Sequence, residues 1–314
     1  MKTLITGGAG FVGTEIIKKW KPDRRDDLII LDKNNERIQE LSINYPAIQF
    51  ILGDASNVRT LTSLLANNQV TRLVHLAANS DIKGGAESTT PDFKDTLKTT
   101  VAIAEILKFY PVKKVYFSST SAVYGSTIGP ISAKKISIKS PESNYGWAKL
   151  ASEQILSGVS KLKGISLMVV RFPNVVGSAP THGILYDFKN KLIANPNYLE
   201  VLGDGTQEKP YIHVSDLVNV MLRMFELEMD LKWIPPLEIN ISPGDTISVK
   251  DIVNEVLKIS DLNPSIAWGK TPQGWAGDIP NYEYEDVLPS EFQDVKIRNS
   301  RDAVRDSFWE SWKT

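Results

Sequence analysis

The chain opens Lys2-Thr-Leu-Ile-Thr6-Gly7-Gly-Ala-Gly10-Phe11-Val12-Gly13 and continues Thr14-Glu-Ile-Ile-Lys-Lys-Trp20. Leu4 and Ile5 read as a short apolar strand, the glycines as a turn, and the segment to Trp20 as a helix. Gly7, Gly10 and Gly13 allow a tight turn and bring backbone N–H groups close to an anion. The helix N-terminus adds roughly half a positive charge toward that anion. In this order, strand, turn and helix form a dinucleotide-binding signal. It places Gly7, Gly10, Phe11, Val12 and Gly13 against a pyrophosphate.

The second strand has the spacing such a cofactor requires. Asp27-Leu-Ile-Ile-Leu-Asp32 is an apolar run ending in a carboxylate. An acid about twenty residues past the glycines binds the ribose hydroxyls and repels a 2′-phosphate, which favours NAD over NADP. Lys33 leaves NADP open, because it could accept that phosphate, and Asp32 could also be a helix N-cap. Ile48-Gln-Phe-Ile-Leu-Gly-Asp54 reads as a third strand, with Asp54 and Ala55 at the adenine ring. Arg72-Leu-Val-His-Leu-Ala-Ala78 reads as a fourth. Its end, at Leu76, Ala77 and Ala78, is small enough for a backbone to approach the cofactor.

Apolar runs keep alternating with helical segments to about residue 175, the pattern of a parallel sheet covered on both faces. Lys113–Ser118 and Ile165–Arg171 read as the fifth and sixth strands, Asp95–Tyr110 and Ser143–Ser157 as long helices. Gly7 to Gly13, Asp32, Asp54, Ala77, Ala78, Thr120 and Pro173 then all fall at the carboxyl ends of strands. That is where open α/β sheets bind ligands. The predicted fold is α/β, a Rossmann-type doubly wound parallel sheet with a smaller C-terminal α/β part. Residues 1–177 form the cofactor-binding domain and 178–314 the substrate-binding part. A late strand, Leu237-Glu-Ile-Asn-Ile241, returns to the sheet. Further helices are expected near Ile184–Ala194, Asp216–Leu227 and Ser248–Ile259. Ser248 with Asp251 resembles a capping pair, and Asp216 also reads as a helix cap.

The reactive element is Tyr145-Gly-Trp-Ala-Lys149, with Phe117-Ser118-Ser-Thr120 upstream. Tyr and Lys at this spacing share one helix face. A free phenol has a pKa near 10, and lowering it by about three units requires roughly 4 kcal/mol. One close ammonium plus a second positive group could supply that. A hydroxyl from Thr120 can hold a substrate oxygen against the phenol. Together these groups could move a proton on and off a carbinol oxygen, which is half of an alcohol oxidation.

Composition narrows the alternatives. The 314 residues contain no cysteine and only three histidines, and carry a formal net charge of −1. Thiolate chemistry is excluded, no metal cluster is expected, and His75, His182 and His213 read as structural. The charge argues against a nucleic-acid partner. Lys134, Lys135 and Lys139 read as a solvated loop. No apolar run reaches membrane-spanning length, and the first residues read as a buried strand rather than a signal peptide. A reducing, cytoplasmic compartment is expected.

Taken together, these segments resemble the extended short-chain dehydrogenase/reductases, in their nucleotide-sugar epimerase and dehydratase branch. The matching pieces are Thr6–Gly13, His75–Ala78, Ser118–Gly125, Tyr145–Lys149, Arg171–Gly177, Leu202–Gln207 and Tyr211–Asp216. The UDP-glucose 4-epimerase-like members are most similar. The resemblance implies NAD as a retained cofactor, touched also by Ser118, Tyr145, Lys149 and Pro173. It implies a nucleotide-sugar substrate, with Thr120 on the sugar O4, Tyr145 as base and Lys149 as its activator. Asn174 would contact the diphosphate, Tyr211 would lie beside the nucleotide, and Asp278 would contact the uridine ribose. Asn79, Gly183, Ile184 and Leu202 would line the same pocket, and Tyr282 would gate its size. The chain departs from the family pattern at three places: Lys209 and Trp275 stand where arginines are usual, and Thr96 where an asparagine is. Lysine lacks the planar fork that grips a phosphate with two bonds. Sugar dehydratases of the branch carry an acid and a base after the threonine. Here those positions are Ser121 and Ala122, neither of which ionises, so epimerisation at C4 is the expected reaction. A net NAD(P)H-dependent keto-sugar reductase and a non-catalytic NAD sensor remain as alternatives. The resemblance also implies a homodimer, with Trp147 in its helix seam or packed in the core.

Overall fold

The computed structural model describes residues 2–79, 88–127, 129–133, 139–227, 236–285, 288, 292 and 294–313. Lys134 and Lys135 lie outside the described residues. Two compact units emerge. The first comprises residues 1–123, 144–171 and 224–239, the second residues 124–143, 172–223 and 240–314.

In the first unit the chain alternates strand and helix. The elements are β1 (Lys2–Thr6), α1 (Phe11–Lys19), β2 (Leu28–Asp32), α2 (Asn35–Asn44), β3 (Gln49–Leu52), α3 (Val58–Asn67) and β4 (Val70–His75). A π-type turn, Asp92–Leu97, leads into α4 (Lys98–Leu107), followed by β5 (Lys114–Thr120), α5 (Asn144–Lys163) and β6 (Ser166–Phe172). The sheet has seven strands in the order β3-β2-β1-β4-β5-β6-β11, where β11 is Leu237–Asn240. The late strand expected near 237–241 thus joins the sheet at its edge.

Registered pairs are parallel, with Leu4 opposite Ile29 on one side and Leu73 on the other. Strands β2, β4, β5 and β6 are buried along nearly their whole length. Helices cover both faces of such a sheet, so its strands read as continuous apolar runs rather than alternating ones. Leu4, Ile29, Leu73, Ile103, Phe117 and Leu156 belong to one core cluster. Chain order reverses at β1, whose neighbours are β2 and β4. The loops after β1 and β4 therefore flank the switch point of the sheet.

Helix starts follow side-chain chemistry. Asn34 caps α2 by accepting from Arg37 N, and Asn57 caps α3 by accepting from Arg59 N and Thr60 N. Among the described residues no helix is long and apolar enough to cross a membrane.

The second unit has short strands paired in twos. Strand β7 (Asn174–Val176) runs parallel to β10 (Tyr211–His213). Strand β8 (Tyr198–Val201) runs parallel to β13 (Ser265–Trp268), and β9 (Glu208–Lys209) antiparallel to β12 (Ile247–Ser248). Its helices are α6 (Ile184–Ala194), α7 (Val214–Leu227, whose last turn belongs to the first unit), α8 (Val249–Ser260) and α9 (Ser300–Trp312). Phe188, Leu199, Ile252, Val256, Val304 and Phe308 share its core. Ser248 caps α8 by accepting from Asp251 N, as its spacing suggested. Asp216 corrects the expectation of a cap. It lies inside the first turn of α7 and accepts from the backbone N–H and the guanidinium of Arg298, at 3.0 and 3.2 Å.

Candidate active site

The glycine turn is shaped by backbone proximity. Gly7 has φ +69°, and a Cβ there would lie 2.6 Å from Ala77 N. A Cβ on Gly13 would lie 2.4 Å from Gly8 O. Only glycine permits the loops after β1 and β4 to approach this closely. Gly10 is the N-cap of α1 and gives it no side-chain cap, and the first turn holds no acid. The N–H groups of Phe11, Val12 and Gly13 thus present a positive helix end with no side-chain acceptor of their own. At the end of β2, Asp32 Oδ2 accepts from Ala9 N at 3.0 Å and Oδ1 from Asn34 N at 2.9 Å. Its carboxylate is held by backbone on both sides, and it caps no helix, since Asn34 caps α2.

Lys33 Nζ is bound 2.7 Å from Asp95. Asp54 Oδ1 accepts from Ser56 N at 2.7 Å, ahead of the buried Ala55. The backbone after β4 is secured by Leu76 N to Thr6 O and by Thr99 Oγ1 to Ala77 O, with Ala78 next in line. A glycine cradle, an open helix end and an anchored acid fit a dinucleotide with free ribose hydroxyls.

Tyr145 and Lys149 sit on α5, and Ser118 and Thr120 on β5. Lys149 is 2% exposed. Its Nζ donates to Ser118 O at 2.7 Å and lies 4.9 Å from the Phe117 ring centroid and 5.8 Å from that of Tyr145. Thr120 is hydrogen-bonded to the Tyr145 phenol, and its Oγ1 also accepts from Ala122 N at 3.2 Å. Burial pushes the phenol above its ordinary value, the nearby Asp92 carboxylate pushes the same way, and the Thr120 hydrogen bond opposes them. Burial also brings Lys149 down to about 7, against the pull of Glu153.

The sequence reading asks for a second positive group beside the Lys149 ammonium, and the raised phenol is in keeping with that need. Desolvation is the largest influence on each group, so the phenol rests neutral. The second positive group is a requirement.

Asp92 was not foreseen, and His75, Asn79 and Thr96 take definite places beside it. His75 lies between Thr6 Oγ1 at 2.7 Å and Thr100 Oγ1 at 3.1 Å. Burial and the Lys149 charge lower its pKa to about 3, so it is a neutral strut. Asp92 accepts from Asn79 Nδ2 at 2.9 Å, and Asn79 N donates to Thr96 Oγ1 at 2.9 Å. The threonine at the usual asparagine position therefore still anchors the loop after β4.

The second unit gathers another group. Asn174 Nδ2 donates to Tyr282 Oη at 3.3 Å, and Tyr282 meets Tyr284 edge-on at 5.9 Å. Tyr211 is buried, with its phenol pushed upward by that burial and by Tyr282 and Asp278. Lys209 Nζ is paired with Asp278 Oδ1 at 2.5 Å, and Asp278 Oδ2 accepts from Gly274 N at 3.0 Å. A Cβ on Gly274 would meet Leu202 Cβ at 3.5 Å. Trp275 is partly buried in the same turn, its carbonyl accepting from Asp278 N. Gly183 starts α6 at φ +96°, Ile184 packs on this unit's core, and Pro173 is buried between β6 and β7.

The family model for NAD-dependent epimerases and dehydratases matches residues 3–232. A putative UDP-glucose 4-epimerase of Methanocaldococcus jannaschii is 28% identical over 254 residues, covering 79% of each chain. The UDP-glucose 4-epimerase of Lacticaseibacillus casei is 26% identical, covering 70% of each. A crystal structure of UDP-galactose 4-epimerase superposes with a TM-score of 0.80 at 26% identity, covering 99% of this chain and 98% of the other. The chain belongs to the NAD-dependent epimerase/dehydratase family of extended short-chain dehydrogenase/reductases, enzymes that work with NAD.

Proposed function

We propose that the protein epimerises a nucleotide-activated hexose at C4, with UDP-glucose and UDP-galactose as the interconverted pair. The observation that carries this reading is the meeting of Tyr145, Lys149 and Thr120 at the end of β5, followed by the non-ionising Ser121 and Ala122. The site can move a proton at O4 but holds no acid–base pair in that position for removing water across C5–C6.

Tyr145 takes the O4 proton and later returns it. Thr120 holds O4 against the phenol, and Lys149 supplies positive charge beside it. When bound, NAD supplies the hydride acceptor and donor, and its oxidised ring brings the second positive charge the phenol needs. Gly7 to Gly13, Asp32, Asp54 and Ala77 hold that cofactor. Asn174, Lys209, Tyr211 and Asp278 keep the nucleotide diphosphate anchored while the 4-keto sugar turns. Cofactor binding is assigned to residues 1–177 with the strand at 237–241, and substrate binding to 178–314. The reading includes a homodimer in the cytoplasm. The exposed Val101 on α4 and Trp147 on α5 support a helix seam, and the absence of cysteine fits a reducing compartment.

The test is incubation with UDP-glucose, UDP-galactose, UDP-glucuronate, UDP-arabinose and their dTDP, GDP and ADP counterparts, with products identified by NMR. Interconversion of UDP-glucose and UDP-galactose without added cofactor is expected. Stoichiometric consumption of added NADH by a keto-sugar would replace the epimerase with a reductase. No conversion and no transient NADH absorbance with any sugar would leave a sensor.

A further inference from the structure

Glu153 lies on α5, four residues past Lys149 and eight past Tyr145, on the same helix face. It is 1% exposed. Its Oε1 accepts from Ser119 Oγ at 2.5 Å and from Arg171 Nε at 2.8 Å, and its Oε2 accepts from Arg171 Nη2 at 2.7 Å. Ser119 directly precedes Thr120 on β5, and Arg171 is a fully buried residue of β6. One carboxylate therefore joins the helix that carries Tyr145 and Lys149 to the strand that carries Thr120.

The charge arrangement is as informative as the bonds. Arg171 Nη2 has a second carboxylate, Glu238 of β11, at 2.6 Å. The guanidinium would keep an anionic partner without Glu153. Lys149, a second buried cation, lies one turn back from Glu153 on the same helix. Lys149 faces Tyr145 and Glu153 on α5, Ser118 and the Phe117 ring on β5, and the neutral His75 of β4. Asp92 acts on Tyr145 from the turn before α4. Glu153 is the anion whose pull on Lys149 opposes its desolvation. A buried ion pair adds little stability over an apolar filling of the same volume, so two fully buried opposite charges, Glu153 and Arg171, behind a reactive pair call for a role beyond packing.

We propose that Glu153 is a positioning residue of this site: its carboxylate locks α5 onto β5 through Ser119, and its charge keeps Lys149 an ammonium. The proposal rests on the assignment of Tyr145, Lys149 and Thr120 above. Losing the charge leaves Lys149 neutral at lower pH, so the phenol stays protonated to higher pH.

The test reads Lys149 directly. Protein labelled with 15N-lysine is titrated by NMR, the Lys149 Nζ signal being assigned by its loss in Lys149→Met. In Glu153→Gln the titration falls by about one pKa unit or more, roughly a tenfold loss of ammonium at fixed pH. In Glu238→Gln, which strips a charge from the same arginine but breaks no bond to Ser119, it stays in place. An unmoved Lys149 in folded Glu153→Gln overturns the proposal. This readout needs no substrate, so it is distinct from failure of the epimerase reading. In turnover, the rising limb of kcat against pH moves upward with KM unchanged. A limb that stays in place also overturns the proposal. Should Glu153→Gln fail to fold, Glu153→Asp is titrated instead. It withdraws the charge by one methylene, so a smaller fall supports the proposal and no fall overturns it.

Discussion

Lys209 Nζ and Asp278 Oδ1 lie 2.5 Å apart, with side chains 15% and 7% exposed, so two residues assigned to the nucleotide end neutralise each other. Lys209→Met leaves the Asp278 carboxylate largely buried, with Gly274 N as its described donor. The expected cost is about 1–3 kcal/mol, read as a lower urea midpoint, with weaker UDP binding by calorimetry. Lys209→Arg keeps the charge and should retain both. An unchanged midpoint in Lys209→Met would show that the pair contributes nothing to the fold.

The buried ammonium of Lys149 makes a pH prediction. Its pKa falls from 10.5 to about 7 on folding. Between these values the unfolded chain binds a proton that the folded one does not, so this group makes stability rise with pH across that window. Below pH 7 both states are protonated, and the cost of burying the charge is full. Lys149→Met removes the titration. From pH 6 to 9.5 the stability of the parent should therefore gain on that of the variant by roughly 3 kcal/mol, at about 1.4 kcal/mol per pH unit. The hydrogen bond lost to Ser118 O cancels in this comparison of slopes. Parallel urea midpoints across the range would contradict the assignment.

His75 has the same sign in acid. Its pKa drops from 6.5 to about 3, so the stability it contributes is complete above pH 6.5 and is lost as pH falls toward 3. His75→Gln should unfold at a lower pH than the parent, relative to their midpoints at pH 7, in an acid titration followed by circular dichroism.

The first unit was legible because each of its signals is local. Leu28–Asp32 is a continuous apolar run ended by an acid, and the glycine turn is confined to seven residues, Gly7 to Gly13. Helix α9 was not foreseen. It buries Ser300, Ala303, Val304, Ser307, Phe308 and Ser311, a helical stripe in which three of six positions are serine. The pattern is helical in spacing but not in hydrophobicity, so periodicity misses it. The bond between Asp216 and Arg298 spans 82 residues and has no local trace. At the site, Tyr145, Lys149 and Thr120 could be read as a group from the sequence, but not how far burial raises the phenol. Burial is a property of the folded chain. The pairing of Glu153 with Arg171 was invisible for the same reason.

Gly7 offers a test of the cradle. A side chain at φ +69° is strained, and its Cβ would fall 2.6 Å from Ala77 N, a backbone atom. Gly7→Ala should cost about 2 kcal/mol or more and reduce the NAD that co-purifies, measured by chromatography after denaturation. Full NAD content with an unchanged melting temperature would mean that the two loops do not need to approach this closely.

The strongest test of the proposed chemistry is Tyr145→Phe. The change deletes one oxygen from a partly buried ring and leaves Lys149 bonded to Ser118 O and the strand carrying Thr120 intact. The pKa of the phenol is raised by burial and by Asp92, so deleting it removes no buried charge from the resting site. Folding stability should change little, and nucleotide binding should stay near that of the parent. Turnover should fall by about a thousandfold, the size expected when a positioned acid–base group is lost. The decisive pair of measurements is kcat for the interconverted sugars and Kd for UDP. A large fall in kcat with an unchanged Kd assigns the proton transfer to Tyr145. A preserved kcat removes Tyr145 from the reaction, and equal losses in both would mean that the phenol anchors the substrate instead of transferring its proton.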